Sequence, residues 1–216
     1  MDGEVKGGRP ARAPVPQART RRTRAAVVEA ALDLFVERGY AATTIEAICD
    51  RSDTPPATVY RLFSSKLGIL KAVLDVSIGG DDQAVAMADR PQVRALLSDQ
   101  DPRKQLAGFA ALLRDLMART APVHRILADA ARSDQDASTL LAEIARQRHE
   151  GQHRIARSLA RSGGLRAGLR ERDAGDIIHA LASPEVYGLL VIDRGWSGER
   201  YEKWLAALLT DQLVPS

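Results

Sequence analysis

From Thr20 onward, apolar residues recur at the three- and four-residue spacing of helices and nowhere alternate as a half-buried strand requires, which points to an all-α fold. Val27, Ala30, Ala31, Leu34 and Phe35 mark a first helix, and Gly39 in "RGY" falls where it should stop. Thr43 followed by Glu46 has the spacing of a capping box, in which each side chain satisfies a backbone amide of the other residue. A short second helix should follow, with Ile45 and Ile48 facing inward, and end near Arg51. Thr54 before Pro55 is an N-cap followed by a residue whose missing amide would have no helical partner, so a third short helix should begin there. Two short helices joined by a tight turn form a helix-turn-helix, the arrangement whose second member enters the major groove of DNA. Ser64 and Ser65 should cap a fourth helix running to about Ser77.

The first 18 residues join glycine, proline and charge with almost no large apolar side chain and read as a disordered basic tail. After a linker, "GGDDQAVAMADRP", Asp101-Pro102 opens a helix and another short one should follow Pro122. A long helix spans 137–162 up to Gly163 and Gly164, and two more cover 173–194 and 197–213. Pro184 after Ser183 should kink or restart the first of these two. A chain of 216 residues accommodates a small head, 19–66, and a larger helical body, 67–216. The single cysteine, Cys49, and the lack of an apolar stretch in the first 30 residues fit a cytoplasmic protein. The longest fully apolar run outside alanine-rich segments, "LLVI" at 189–192, is too short to cross a bilayer, so no membrane role is expected.

The net charge is only +3, but residues 1–66 hold 11 Lys and Arg against 8 Asp and Glu, while residues 67–216 balance at 20 of each. The excess lies in the head, where Arg19, Arg21, Arg22 and Arg24 crowd together. Such a cluster can neutralise phosphates and add a salt-dependent term to nucleic-acid affinity. A solvated basic helix start has the same appearance.

The segment from Arg19 to about Leu70 resembles the TetR family of bacterial transcriptional regulators, on the strength of "AALDLFVERGYAATTIEAI" and "ATVYRLFSSK". The resemblance implies that Thr58 lies on the recognition helix near bases or phosphates, that the hydroxyls of Tyr60 and Thr44 approach phosphate, and that Lys66 grips the DNA backbone. A phenol, a hydroxyl and an ammonium can each donate to a phosphate oxygen. Phe63 is expected in the core. Pro55, Pro56, Leu62 and Leu67 depart from the family's usual residues, so no operator sequence carries over. The resemblance also implies a body of five or six helices, with the last two packing against their copies in a homodimer and the middle ones enclosing a small-molecule effector.

The segments "DIIHALASPEVYGLLVI" and "YEKWLAALLTDQLV" are apolar over more of their circumference than a surface helix needs, which supports a homodimer through 173–213. Phe109, Met117, His124, Arg148 and Tyr187 are the candidates to line an effector pocket. Arg148, in the middle of an apolar stripe, should snorkel to its edge or meet an acidic group. "HEGQH" at 149–153 raises a rival reading, a zinc hydrolase or metal-responsive protein, since the two histidines lie about 40° apart on a helix. A third ligand at the metzincin offsets is missing, with Ala156 and Leu159 there instead, and Asp173 and Asp176 are only near substitutes. Arg146, Arg154 and Arg157 would repel a dication. The expectation is therefore two histidines on a solvated face, no metal, no cofactor and no enzyme activity.

Overall fold

A computed structural model describes residues 15–79 and 90–215, and all its regular elements are helices. In the head these are α1 (Val15–Ala42), α2 (Ile45–Arg51), α3 (Pro56–Phe63) and α4 (Lys66–Gly79). In the body they are α5 (Pro91–Ser98), α6 (Pro102–Ala130), α7 (Gln135–Arg161), α8 (Glu171–Leu181), α9 (Pro184–Tyr187) and α10 (Gly198–Leu213). A wider π turn, Gly188–Asp193, continues α9. The expected tail and linker lie largely outside the described residues, but residues 15–18 of the tail belong to α1.

The helical course of α1 breaks at Gly39, whose φ of 78° suits glycine best. The chain then turns back so that the Tyr40 ring meets Phe35 at 5.6 Å. The cap of α2 is Thr44, not Thr43: the Thr44 hydroxyl accepts from the Ala47 amide at 3.1 Å. Thr43 is buried and donates to the carbonyls of Gly39 and Leu34, so it ties the turn to α1 and forms no capping box with Glu46. The third helix starts one residue later than its Thr-Pro signal suggests, with Pro55 at the cap and Pro56 at the first helical position. Thr54 is buried and donates to Ser52. Both prolines sit where a helix leaves amides unpaired anyway, so neither breaks a helical hydrogen bond.

Pro122 does not start a new helix: α6 runs through it as one element of 29 residues, about 43 Å long. Pro122 and Ala118, whose carbonyl loses its partner, are both exposed, and water can serve that carbonyl. Gly163 and Gly164 end α7 as expected, with the Gly163 and Gly164 amides returning to the carbonyls of Ala160 and Leu159. Ser183 breaks the last-but-one helical stretch and caps α9 by accepting from the Val186 amide at 3.2 Å.

Two apolar cores result. One joins Val27, Leu34 and Phe35 of α1, Ile48 of α2, Val59 and Phe63 of α3, and Leu70 and Val73 of α4. The head core thus takes in α4 and does not stop at residue 66. Val123 and Leu127 of α6 and Ala137 of α7 enter the same core. The second core gathers Leu106, Phe109, Leu113 and Met117 of α6, Ile155 and Leu159 of α7, Ile178 of α8, and Tyr201, Leu205 and Leu209 of α10. Helix α6 belongs to both cores and couples the head to the body.

Candidate nucleic-acid interface

Amphipathicity orients α3. Val59 and Phe63 are buried in the head core, and Ala57, Tyr60 and Arg61 on the opposite side are exposed. Tyr60 is 49% exposed, a large aromatic with no packing reason to face outward. Thr58 is half-buried at the edge of a cleft of about 330 Å3 that Arg19, Thr20, Thr23, Pro55 and Arg61 also line. The start of α1 and the outward-facing side of α3 are thereby brought side by side. Arg21 and Arg22 are exposed on the same stretch of α1. Arg24 is partly committed, since its guanidinium lies 4.9 Å from the centre of the Phe63 ring.

Lys66, expected to grip the DNA backbone, is engaged within the head. Its Nζ donates to the Tyr40 carbonyl at 2.7 Å and the Thr43 carbonyl at 2.9 Å, and it lies over the Tyr40 ring at 4.3 Å. Burial lowers its pKa. The ammonium from α4 thus bridges a carbonyl of the last turn of α1 and one of the α1–α2 turn. Lys66 therefore holds the α1–α2 turn against α4. Thr44 is exposed, and although its oxygen accepts from the Ala47 amide, its hydroxyl hydrogen remains to donate. A paired Arg51 and Glu37, joined by two bonds of 3.0 Å, fix α2 on α1.

Sequence reasoning passed over Arg61. Its signal was available: it lies two residues from each of the buried Val59 and Phe63, on the face they leave open.

The five residues expected around an effector fall into two groups. Phe109, Met117 and Tyr187 are buried in the body core, the Tyr187 ring meeting Tyr201 edge-on at 4.9 Å. His124 and Arg148 are half-buried and form a polar group with Glu185, whose carboxylate lies 3.9 Å from His124. Burial lowers the pKa of His124 and of Arg148, and Glu185 raises both in part. Arg148 neither snorkels nor stands free: it donates to the His179 carbonyl at 3.1 Å. Beside it the Gln152 amide donates to the Ala182 carbonyl at 3.1 Å, so two side chains of α7 serve the unpaired carbonyls at the end of α8. A separate half-open groove of about 770 Å3, lined by Leu32, Val36, Val76 and Val123 among others, lies where α1, α4 and α6 meet. None of the five lines it.

Over residues 171–193 the chain is long and apolar enough to cross a membrane by length and composition. It is interrupted at Ala182–Ser183, and Ala174, Ile178 and Tyr187 pack into the body core. In the π turn Leu190 and Val191 pack against the same core, while Leu189 and Ile192 face outward, 60% and 43% exposed.

Residues 27–73 match the family described as bacterial regulatory proteins, tetR family. The chain is 30% identical over 155 residues to the HTH-type transcriptional regulator TcmR of Streptomyces glaucescens, an alignment covering 69% of this chain and 64% of that relative. The chain thus spans less than two thirds of TcmR. Among solved structures, NalD, the secondary repressor of the MexAB-OprM multidrug efflux pump in Pseudomonas aeruginosa, is similar with a TM-score of 0.69 at 21% identity, over 91% of this chain and 99% of its own. The SmeT–triclosan complex is similar with a TM-score of 0.64 at 20% identity, over 90% of this chain and 92% of its own. SmeT is the repressor of the Stenotrophomonas maltophilia multidrug efflux pump SmeDEF. At these identities the likeness to both structures is one of fold.

Proposed function

We propose that this chain, whose residues 27–73 match the tetR family of bacterial regulatory proteins and which is 30% identical to a regulator over 155 residues, is a cytoplasmic tetR-type repressor that binds a palindromic DNA operator as a homodimer and leaves it on binding a small molecule. The observation that carries the reading is the outward face of α3, Ala57, Tyr60 and Arg61, set beside the arginine-rich start of α1. With α3 in the major groove, Arg61 and Thr58 reach base edges, while Tyr60 and Thr44 donate to phosphate. Arg19, Arg21 and Arg22 follow the adjoining backbone, with Arg24 braced by Phe63. Lys66 acts indirectly by fixing the turn that presents Thr44.

A dimer supplies the paired half-sites this motif needs. The exposed π turn and α10, within residues 173–213, supply its apolar face. The effector site on this reading is the polar group of His124, Arg148 and Glu185, with Phe109, Met117 and Tyr187 of the body core as its apolar side, since such sites combine apolar walls with a few polar groups. Triclosan bound to SmeT supports a small-molecule effector on this fold. Because α6 runs from this region into the head core, a shift of α6 on binding moves the head.

The test is binding of the full chain to random-sequence duplex DNA across a salt series. Affinity falls steeply with salt, and replacing Arg19, Arg21, Arg22 and Arg24 by Gln together reduces the slope by up to about 3.6 units per chain. A slope unchanged by the quadruple replacement would remove the phosphate role of the cluster.

A further inference from the structure

The geometry points to a binding site for a first-row divalent cation such as Zn2+ between α7 and α8, built from His149, His153 and Asp176. The two Nε2 atoms lie 3.0 Å apart, and the Asp176 carboxylate oxygen is 3.3 Å from that of His149 and 3.8 Å from that of His153. All three donor atoms fall within 4.8 Å of one another. A triangle with these sides has a point about 2.0 Å from every corner, which is the bond length of a zinc ion to imidazole nitrogen and carboxylate oxygen. Two imidazoles and one carboxylate suit zinc, nickel, cobalt and iron better than the hard alkaline-earth ions. Remaining coordination positions face water, as Asp176 is 55% and His149 41% exposed.

The surroundings differ from those expected of a solvated helix face. His149 and His153 point at α8, and the His153 side chain is only 19% exposed. Gly175 makes room for it: a Cβ there would come within 2.3 Å of the His153 ring. The His179 ring stands edge-on to His149 at 4.9 Å, with Nδ1 held 2.8 Å from the Gln152 side-chain oxygen. Two of the three arginines expected to repel a cation are paired, and Arg154 is exposed to solvent. Arg146 pairs with Glu143 and Glu150, and Arg157 with Glu171. Arg172 alone acts on Asp176 from α8, and the Asp176 pKa is lowered first by its hydrogen bond with His149.

The same arrangement does not favour the hydrolase reading of the pentapeptide. Glu150, which would have to act as base on a metal-bound water, is exposed and engaged by Arg146. The ion's effect is to fasten α7 to α8. Helix α7 carries Leu140, Leu141 and Ile144 against the head core, so this clamp sets the attitude of a helix that touches the head.

The test is titration of the full metal-free chain with Zn2+ against a chromophoric chelator, and with Co2+ read by its ligand-field absorption. One ion per chain is expected, with a rise in Tm on loading. His153→Ala and Asp176→Asn should each weaken binding at least about 100-fold, and Gly175→Ala about 10- to 100-fold by displacing a ligand ring it does not bond. Glu150→Gln should bind as the parent does. Circular dichroism of each variant separates lost binding from lost fold, and the Co2+ spectrum of the parent chain gives the donor set without any substitution. Absence of stoichiometric binding, or binding that survives Asp176→Asn, would overturn the site and leave only a hydrogen-bonded His-His-Asp group. No DNA enters these measurements, so failure here leaves the proposed operator binding standing, and the reverse holds too.

Discussion

At the scale of single residues, the proposed function divides the outward face of α3 by chemistry. Tyr60→Phe removes one hydroxyl donor and should weaken binding to all sequences alike, as a phosphate contact does. Arg61→Ala should instead relax the preference at one position per half-site and cost about 1–3 kcal/mol on the preferred sequence. Competition binding against a panel of single-base variants distinguishes the two, and a base-specific effect from Tyr60→Phe would reverse the assignment. Lys66→Ala should cost about 1–3 kcal/mol of stability by leaving two carbonyls short of a donor, measurable in urea; an unchanged midpoint would mean that water takes over. His124 sets a pH dependence. Burial lowers its pKa below the ordinary 6.5 in the folded chain, with Glu185 opposing and Arg148 reinforcing the shift. The unfolded chain then binds the proton more readily, so stability is present above 6.5 and is lost as pH falls toward the folded value. His124→Gln should flatten that part of the urea-midpoint curve; an undiminished slope would assign it to other groups. The roles of Thr43 and Thr44 were not legible in sequence, because two adjacent threonines offer the same hydroxyl and only the break at Gly39 decides which one turns inward. Nor was the clustering of Asp176 with His149 and His153, since which carboxylate of α8 meets α7 depends on how the two helices are rotated against each other.

At the scale of elements, periodicity and caps were legible where they acted alone. Asp101 caps α6 as its Asp-Pro signal indicates, accepting from the amides of Arg103 and Lys104. The Gly163-Gly164 stop and the restart at Ser183-Pro184 also follow from local chemistry. Pro122 was misleading, because a proline on the solvent side of a helix packed in two cores costs one hydrogen bond and the burial along α6 outweighs it. Helix α5 begins at Pro91, the last residue of the stretch read as linker, and runs on through residues to which no element was assigned, with Val93 its one buried side chain. Ser183 is the cap whose removal is easiest to read: Ser183→Ala should lower stability by about 1 kcal/mol by leaving the Val186 amide unpaired. Thermal denaturation checks it, and no change in Tm would mean that Pro184 alone sets the restart.

At the scale of the whole molecule, the proposed function requires two heads held at a fixed spacing. The apolar π turn, with Leu189 and Ile192 outside the body core, is the surface proposed to hold them. Leu189→Arg should shift the chain to monomer in analytical ultracentrifugation while leaving its helical circular dichroism intact, because Leu189 is exposed in the single chain. Operator affinity should fall with it, and a dimer that persists would place the interface elsewhere. If α3 reads duplex DNA as half of a symmetric pair, selection of binding sites from random-sequence duplex by the full chain should enrich a two-fold symmetric sequence with half-sites about 34 Å apart or a multiple of that, bound by an even number of chains. No enrichment, or an asymmetric site bound by one chain, would contradict it.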